Sequence, residues 1–146
     1  MKRARRMLLK VDRASIADRV AALNARYRHH SATAVLEHAL SDPDLGQVAL
    51  VSSFGAESVV LLHLVSVLAP ETPVIFVDTR MLFPETLAYQ RQLADSLPLC
   101  DIRTIRARQT RTDFEDPDGT LHQYSTDACC GVRKVEPLER ALQGFD

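Results

Sequence analysis

The feature that most constrains the fold is the alternation of short apolar runs with helical segments through the middle of the chain. Residues 48–51, 73–77 and 102–105 have the length and composition of buried strands. Between them, residues 57–68 and 84–97 carry helical patterns. Parallel strands need crossovers of this size, and right-handed crossovers build a doubly wound sheet. The sequence therefore predicts an α/β domain with a parallel sheet.

The segment that precedes this alternation has a different pattern. Apolar residues recur at helical spacing across residues 15–40, with a break expected at residues 31–33. We therefore divide the chain into a basic N-terminal helical region, residues 1–40, and an α/β domain, residues 41–146.

Composition excludes several classes of protein. The chain has 146 residues, of which 46% are hydrophobic and 25% charged, as in soluble globular domains. No apolar run reaches the roughly 18–20 residues of a membrane span, and no secretory signal is recognised. Three cysteines do not make a disulfide scaffold. We expect a cytoplasmic protein without a membrane partner, in which paired cysteines indicate metal or redox chemistry.

Charge is unevenly distributed along the chain. The net charge is −1, but residues 1–30 hold nine lysines and arginines against two aspartates. We favour a solvated terminus over an anion or nucleic-acid contact for this basic arm.

The first candidate site is the loop from Ser53 to Ser58, between the first strand and its helix. Ligands of open α/β sheets lie at the carboxyl ends of the strands, where a helix N-terminus offers free N–H groups to an anion. Gly55 allows a close approach, and the two serines add hydroxyl donors. The plain structural alternative is a serine-capped turn. Glu57 is better suited to orienting the loop or binding a cation.

The second candidate pair follows the second strand. Asp78 and Thr79 should lie beside the first loop, because the carboxyl ends of parallel strands meet at one edge. They can hydrogen-bond a ribose or a base, or they can merely close a turn.

The third motif is the run from Cys129 to Lys134, at the start of a helix predicted to reach Leu142. Adjacent thiols form a strained disulfide but can both ligate an iron–sulfur cluster. Two buried small hydrophobes are the plain alternative. Arg133 and Lys134 are either solvated charges or an oxyanion clamp, with a guanidinium fork and a point charge.

Together these motifs resemble the assimilatory adenylyl-sulfate and phosphoadenylyl-sulfate reductases. The similarity rests on Ser-Phe-Gly-Ala-Glu-Ser, on Val-Asp-Thr with Leu-Phe-Pro-Glu-Thr after it, and on Cys-Cys-x-x-Arg-Lys-Val-x-Pro-Leu. It covers about residues 40–142. The resemblance implies a parallel-sheet adenine-nucleotide alpha-hydrolase-like domain, of the Rossmann-like PP-loop type.

The resemblance also implies residue roles. A phosphosulfate-facing loop would comprise Ser53, Gly55, Ala56, Glu57 and Ser58. Asp78 and Thr79 would lie near the adenosine, and Arg133 and Lys134 would hold the phosphosulfate. Cys129 and Cys130 would be two ligands of a [4Fe–4S] cluster, which marks the type that prefers adenylyl sulfate.

The family's reaction reduces adenylyl sulfate to sulfite and AMP, with thioredoxin or glutaredoxin as reductant. Its downstream Cys-x-x-Cys and nucleophile-bearing Glu-Cys-Gly-Leu-His motifs are not in this sequence. We therefore expect an incomplete nucleotide-binding domain at 41–146, truncated at its C-terminal side. It holds no catalytic cysteine and is inactive alone. The sequence does not decide whether the chain forms a homo-oligomer.

Three alternative functions stay open at this point. The first is a reductase of phosphoadenylyl sulfate, and the second is an inactive adenine-nucleotide-binding module. The third is an ATP-cleaving adenylating enzyme, which Phe54 and the cysteine pair disfavour. One departure from the family concerns Arg80, which stands where the family has glycine and is strained if its φ is positive.

Overall fold

The computed structural model of the chain describes residues 13–146. Backbone contacts divide the chain into two units, Met1–Leu36 and Glu37–Asp146. The predicted division at residue 40 stays a prediction, and the basic residues from Lys2 to Lys10 lie outside the described part. Between residues 13 and 146, no helix combines the length and apolar character needed to span a bilayer.

The first helical region consists of α1 (Arg13–Tyr27) and α2 (Ala32–Ser41). The hydroxyl of Ser31 accepts a hydrogen bond from the N–H of Ala34 at 3.2 Å. This bond caps the start of α2, and so the break between the helices falls at residues 28–31, slightly before the predicted position.

The second unit alternates strands and helices in the predicted order. Its strands are β1 (Leu50–Val51), β2 (Val74–Val77) and β3 (Ile102–Ile105). Its helices are α3 (Val59–Leu68), α4 (Pro84–Ser96), α5 (Gln109–Glu115), α6 (Leu121–Tyr124), α7 (Thr126–Cys130) and α8 (Glu136–Ala141). A 3₁₀ turn, Ala56–Ser58, leads into α3.

The three strands form one parallel sheet in the order β1-β2-β3. Leu50 pairs with Val74, and Val74 pairs in turn with Ile102. The predicted α/β fold with a parallel sheet is therefore confirmed. All three carboxyl ends meet at one edge, which is where the loops after β1 and β2 lie together.

The core lies against the central strand. Val74 and Phe76 share one face of β2 and pack with Leu62 of α3 and with Phe54. The rings of Phe54 and Phe76 meet edge to face, with centroids 5.6 Å apart. Helix α8 packs against β2 and β3. Ile75, on the opposite face of β2, is fully buried.

The last helical segment differs from the prediction. It begins at Thr126, three residues or more before the expected start, because the hydroxyl of Ser125 accepts the N–H of Ala128 and caps it. A π-helical turn, Gly131–Val135, separates α7 from α8. Such turns often mark functional positions, since the widened turn reorients the side chains it carries.

The loops after β1 and β2 are built in the same way. Ser52 and Asp78 each follow a strand and accept the N–H of the residue two positions on, at 3.0 and 2.9 Å. Those residues, Phe54 and Arg80, have positive φ values of 56° and 60°. Local side-chain hydrogen bonds of this kind support left-handed turns. The suspected positive φ of Arg80 is therefore present.

Replacing Arg80 with glycine should stabilise the protein by about 1 kcal/mol, because glycine adopts a positive φ without the steric cost an L side chain carries. Arg108 is the matched control, since its φ is −65°. Arg108→Gly should destabilise by about 0.5–1 kcal/mol, through chain entropy alone. Urea unfolding of both variants measures these effects. Equal losses in the two variants would contradict the assignment of strain to Arg80.

Candidate functional site

A cavity of about 410 Å³ opens at the carboxyl ends of β1 and β2. Its walls come from the two post-strand loops, the start of α4 and the last helical segment. The lining residues are Val51, Ser52, Ser53, Gly55, Phe76, Val77, Thr79, Leu82, Thr86, Lys134 and Leu138. This volume falls in the range of about 300–1,000 Å³ that is usual for small-molecule sites.

Four of the residues singled out from the sequence line this cavity, namely Ser53, Gly55, Thr79 and Lys134. The others predicted to bind substrate or metal do not: Ala56, Glu57, Ser58, Asp78, Arg133, Cys129 and Cys130. The structure thus brings all three motifs to one edge of the sheet, but it exposes to the cavity only one side chain of the Cys-Cys-x-x-Arg-Lys block.

Gly55 leaves space between two hydroxyl groups. Its φ is −66°, so the backbone does not require glycine. A Cβ added there would lie 3.5 Å from the Ser53 hydroxyl oxygen and 3.9 Å from that of Ser58. The Ser58 hydroxyl donates to the Gly55 carbonyl at 2.8 Å. The glycine therefore leaves open the cavity floor that it lines, next to the start of α3, and a helix start favours an anion.

Asp78 is buried and serves the turn behind the cavity. One carboxylate oxygen accepts the N–H of Arg80, and the other accepts Nε of Arg106 at 2.8 Å. Burial by itself raises the pKa of Asp78, but these hydrogen bonds and the charges of the two arginines outweigh it and hold the pKa below its ordinary value. Its predicted contact with adenosine stays a prediction.

Arg133 is buried and fully engaged inside the protein. Its Nε and one terminal nitrogen donate to Oδ2 of Asp116 at 3.0 and 2.6 Å, and its other terminal nitrogen donates to the Thr79 carbonyl at 3.1 Å. The Leu121 N–H and then Arg133 lower the pKa of Asp116 below its ordinary value. The predicted contact of Arg133 with substrate stays a prediction.

Lys134, the next residue, has the opposite environment. It lines the cavity and is exposed. Within residues 13–146 it has no hydrogen-bond or ion-pair partner. It therefore brings an uncompensated positive charge to the cavity that Gly55 also lines.

The cysteine pair lies just before the π-helical turn. Cys129 is buried, with its sulfur 4.0 Å from that of Met81, and Cys130 is half-buried. Cys100 lies at the opposite end of the sheet, before β3, where its N–H bonds the Pro70 carbonyl. A hydrogen bond with Glu71 raises the pKa of the Cys100 thiol.

The described residues do not fit a complete iron–sulfur site. A [4Fe–4S] cluster takes four thiolates, and only Cys129 and Cys130 stand together here. Across residues 13–146, no group of three or more histidine, cysteine, aspartate or glutamate side chains is placed to hold a metal ion.

The sequence patterns did not identify the apolar walls of the cavity. They are formed by Val51, Phe76, Val77, Leu82 and Leu138. Val51, Phe76 and Val77 lie at the carboxyl ends of the strands. This position was the sequence signal that could have identified them as cavity residues. Leu82 and Leu138 read as core residues, because helical or loop periodicity does not distinguish a residue that faces a cavity from one that faces the core.

The pKa of Asp78 predicts a pH-dependent loss of stability. A carboxylate with a depressed pKa stabilises the fold fully above its unfolded pKa of about 4, and it loses that contribution as the pH falls through its lower folded pKa. Asp78→Asn should therefore cost about 2 kcal/mol at pH 7 and progressively less towards pH 3. Urea unfolding at several pH values tests this expectation. A cost that does not change with pH would contradict it.

Comparisons with known proteins identify the family. The model of the phosphoadenosine phosphosulfate reductase domain matches residues 47–146. A solved structure of phosphoadenylyl-sulfate reductase from Candida auris, in complex with phosphate, superimposes with a TM-score of 0.69 at 25% identity. It covers 85% of this chain and 61% of its own.

Curated relatives of two kinds are similar in sequence. The adenosine 5′-phosphosulfate reductase of Mesorhizobium japonicum is 42% identical, over 89% of this chain and 51% of its own length. The phosphoadenosine 5′-phosphosulfate reductase of an Enterobacter species is 41% identical, over 67% of this chain and 41% of its own. The chain thus spans about half the length of these relatives. These matches show that it belongs to the phosphoadenosine phosphosulfate reductase domain family.

Proposed function

We propose that this chain forms the nucleotide-binding part of a reductase that converts adenylyl sulfate to sulfite and AMP in sulfate assimilation. The observation that carries the proposal is the cavity at the carboxyl ends of β1 and β2, where an apolar wall meets a helix start and a free lysine. An adenine ring needs the first of these features, and a phosphosulfate needs the other two.

The residues of this chain would bind and orient the substrate. The adenosine would lie against Phe76, Val77 and Leu138, with Thr79 as a hydrogen-bonding group. The phosphosulfate would lie over the Ser53–Ser58 loop, with Lys134 opposite. Cations and N–H groups so placed would neutralise charge on the phosphate that leaves when sulfur is attacked.

We favour adenylyl sulfate over its 3′-phosphorylated form as the substrate, and the extent of the sequence matches supports this choice. The relatives named for the two substrates are almost equally identical to the chain, at 42% and 41%. The match to the former extends over 89% of the chain, and the match to the latter over 67%. Measuring the affinities of the chain for AMP and for adenosine 3′,5′-bisphosphate distinguishes the two candidate substrates. Tighter binding of the bisphosphate would favour the alternative.

The cofactor and reductant follow from the family resemblance. We propose Cys129 and Cys130 as two of four ligands to a [4Fe–4S] cluster, whose other ligands would lie outside these 146 residues. Thioredoxin or glutaredoxin would supply the electrons that release sulfite.

Lys134→Ala tests the anion end of the site. Losing a charge-assisted hydrogen bond should weaken AMP binding by about tenfold or more. Isothermal titration calorimetry of the purified chain with AMP measures the change. Arg91→Ala, on the exposed surface of α4, removes an equal charge and should leave the affinity unchanged. A wild-type chain that does not bind AMP would refute the proposed function.

Gly55→Ala tests the cavity floor separately from the fold. The added methyl would make only ordinary contacts with the two serine hydroxyls, so thermal stability should be retained. The methyl would fill the space that an anion needs, and AMP affinity should fall about tenfold. Unchanged AMP affinity in a folded Gly55→Ala protein would place the ligand elsewhere.

A further inference from the structure

The buried ion pair between Asp116 and Arg133 connects three separate parts of the domain. Oδ1 of Asp116 accepts the Leu121 N–H at 2.9 Å and so holds the start of α6. Its Oδ2 accepts two donors of Arg133, which lies in the π-helical turn before α8. Arg133 in turn donates to the carbonyl of Thr79, at the end of β2.

This network lies directly behind the cavity and does not open into it. The Asp116 side chain is 1% exposed and that of Arg133 10%. Neither lines the cavity, but Arg133 adjoins two of its polar lining residues: it donates to the carbonyl of Thr79, and Lys134 is the next residue in the chain. The hydroxyl of Thr79 is itself held in place, because it accepts the Met81 N–H at 3.2 Å.

Arg133 does not line the cavity, so its guanidinium would have to leave this network to reach a ligand there. Each of its three guanidinium nitrogens already donates to Asp116 or Thr79. Turning the guanidinium towards a substrate would leave the buried Asp116 carboxylate without its counter-ion, which is costly. The π-helical turn allows these two adjacent residues to have different environments, since it directs Arg133 inwards and Lys134 to the cavity.

We propose that Asp116 and Arg133 are positioning residues, which fix Thr79 and Lys134 in place around the cavity while Arg133 makes no contact with the substrate anion. The pair would act on adenosine through Thr79, and on AMP through both Thr79 and Lys134. This inference rests on the proposed function, in which the cavity binds an adenine nucleotide.

The test compares AMP with adenosine in titration calorimetry of wild type, Asp116→Asn, Arg133→Gln and the double variant. A positioning pair should lower the affinity for both ligands in each single variant, by about tenfold for AMP and by a smaller factor for adenosine. The double variant should be no worse than either, because residues that act as a unit are not additive. Asp118→Asn is the matched control, an exposed aspartate in the same turn.

Two outcomes would overturn the proposal. If Arg133→Gln weakens AMP binding but not adenosine binding, while Asp116→Asn changes neither, Arg133 is a phosphate ligand. If folded variants bind both ligands as wild type does, the pair is structural only. Circular dichroism establishes folding. Should these variants unfold, Asp116→Glu and Arg133→Lys, which keep the charges but change the reach, carry the same comparison.

A ligand-free measurement keeps the inference separable from the proposed function. In ¹H–¹⁵N spectra, Asp116→Asn should shift the amide signals of residues 79–82 and 131–135, and Asp118→Asn should not. Absence of these shifts would refute the positioning role. If Asp116→Asn shows these shifts but the wild-type chain binds no AMP, only the proposed function is refuted.

Discussion

The ion pair of Arg133 with Asp116 is the interaction on which the rest of the site depends. It joins the end of β2 to the last helical segment, two parts that are 54 residues apart in sequence. Buried charges of this kind are held only when they are paired and hydrogen-bonded, and here each of the three guanidinium nitrogens donates to a partner. The positioning role that we propose rests on this pair, because breaking it would leave a buried charge without its counter-ion.

The two post-strand turns impose a second constraint. Ser52 and Asp78 fix the backbone of Phe54 and Arg80 in left-handed conformations that their side chains disfavour. The two turns have different consequences. The side chain of Phe54 is buried in the core against Phe76, and this burial offsets the strain of its backbone. The side chain of Arg80 is exposed, so packing offsets less of the strain there. Backbone strain that is not offset by packing is typical of functional sites, where the conformation of a loop is set by ligand binding.

The sequence predicted the fold well but the site only partly. The three strands and helices α3 and α4 were recognised, because apolar runs of strand length and amphipathic periods are local signals. Helices α5 and α6 were not predicted, since they are short and polar and carry no such period. Of the predicted site residues, Ser53, Gly55, Thr79 and Lys134 line the cavity, whereas the sequence did not identify its apolar walls.

By itself, the sequence determined the α/β order, the edge of the sheet where the motifs meet and the family resemblance, since each rests on residues close together in the chain. Only the tertiary structure separated Arg133 from Lys134. Two adjacent cations have the same local signature, and a π-helical turn with a partner 17 residues away directs one inwards to Asp116 and the other to the cavity. That partner choice depends on which buried charge must be neutralised, and burial is decided by packing.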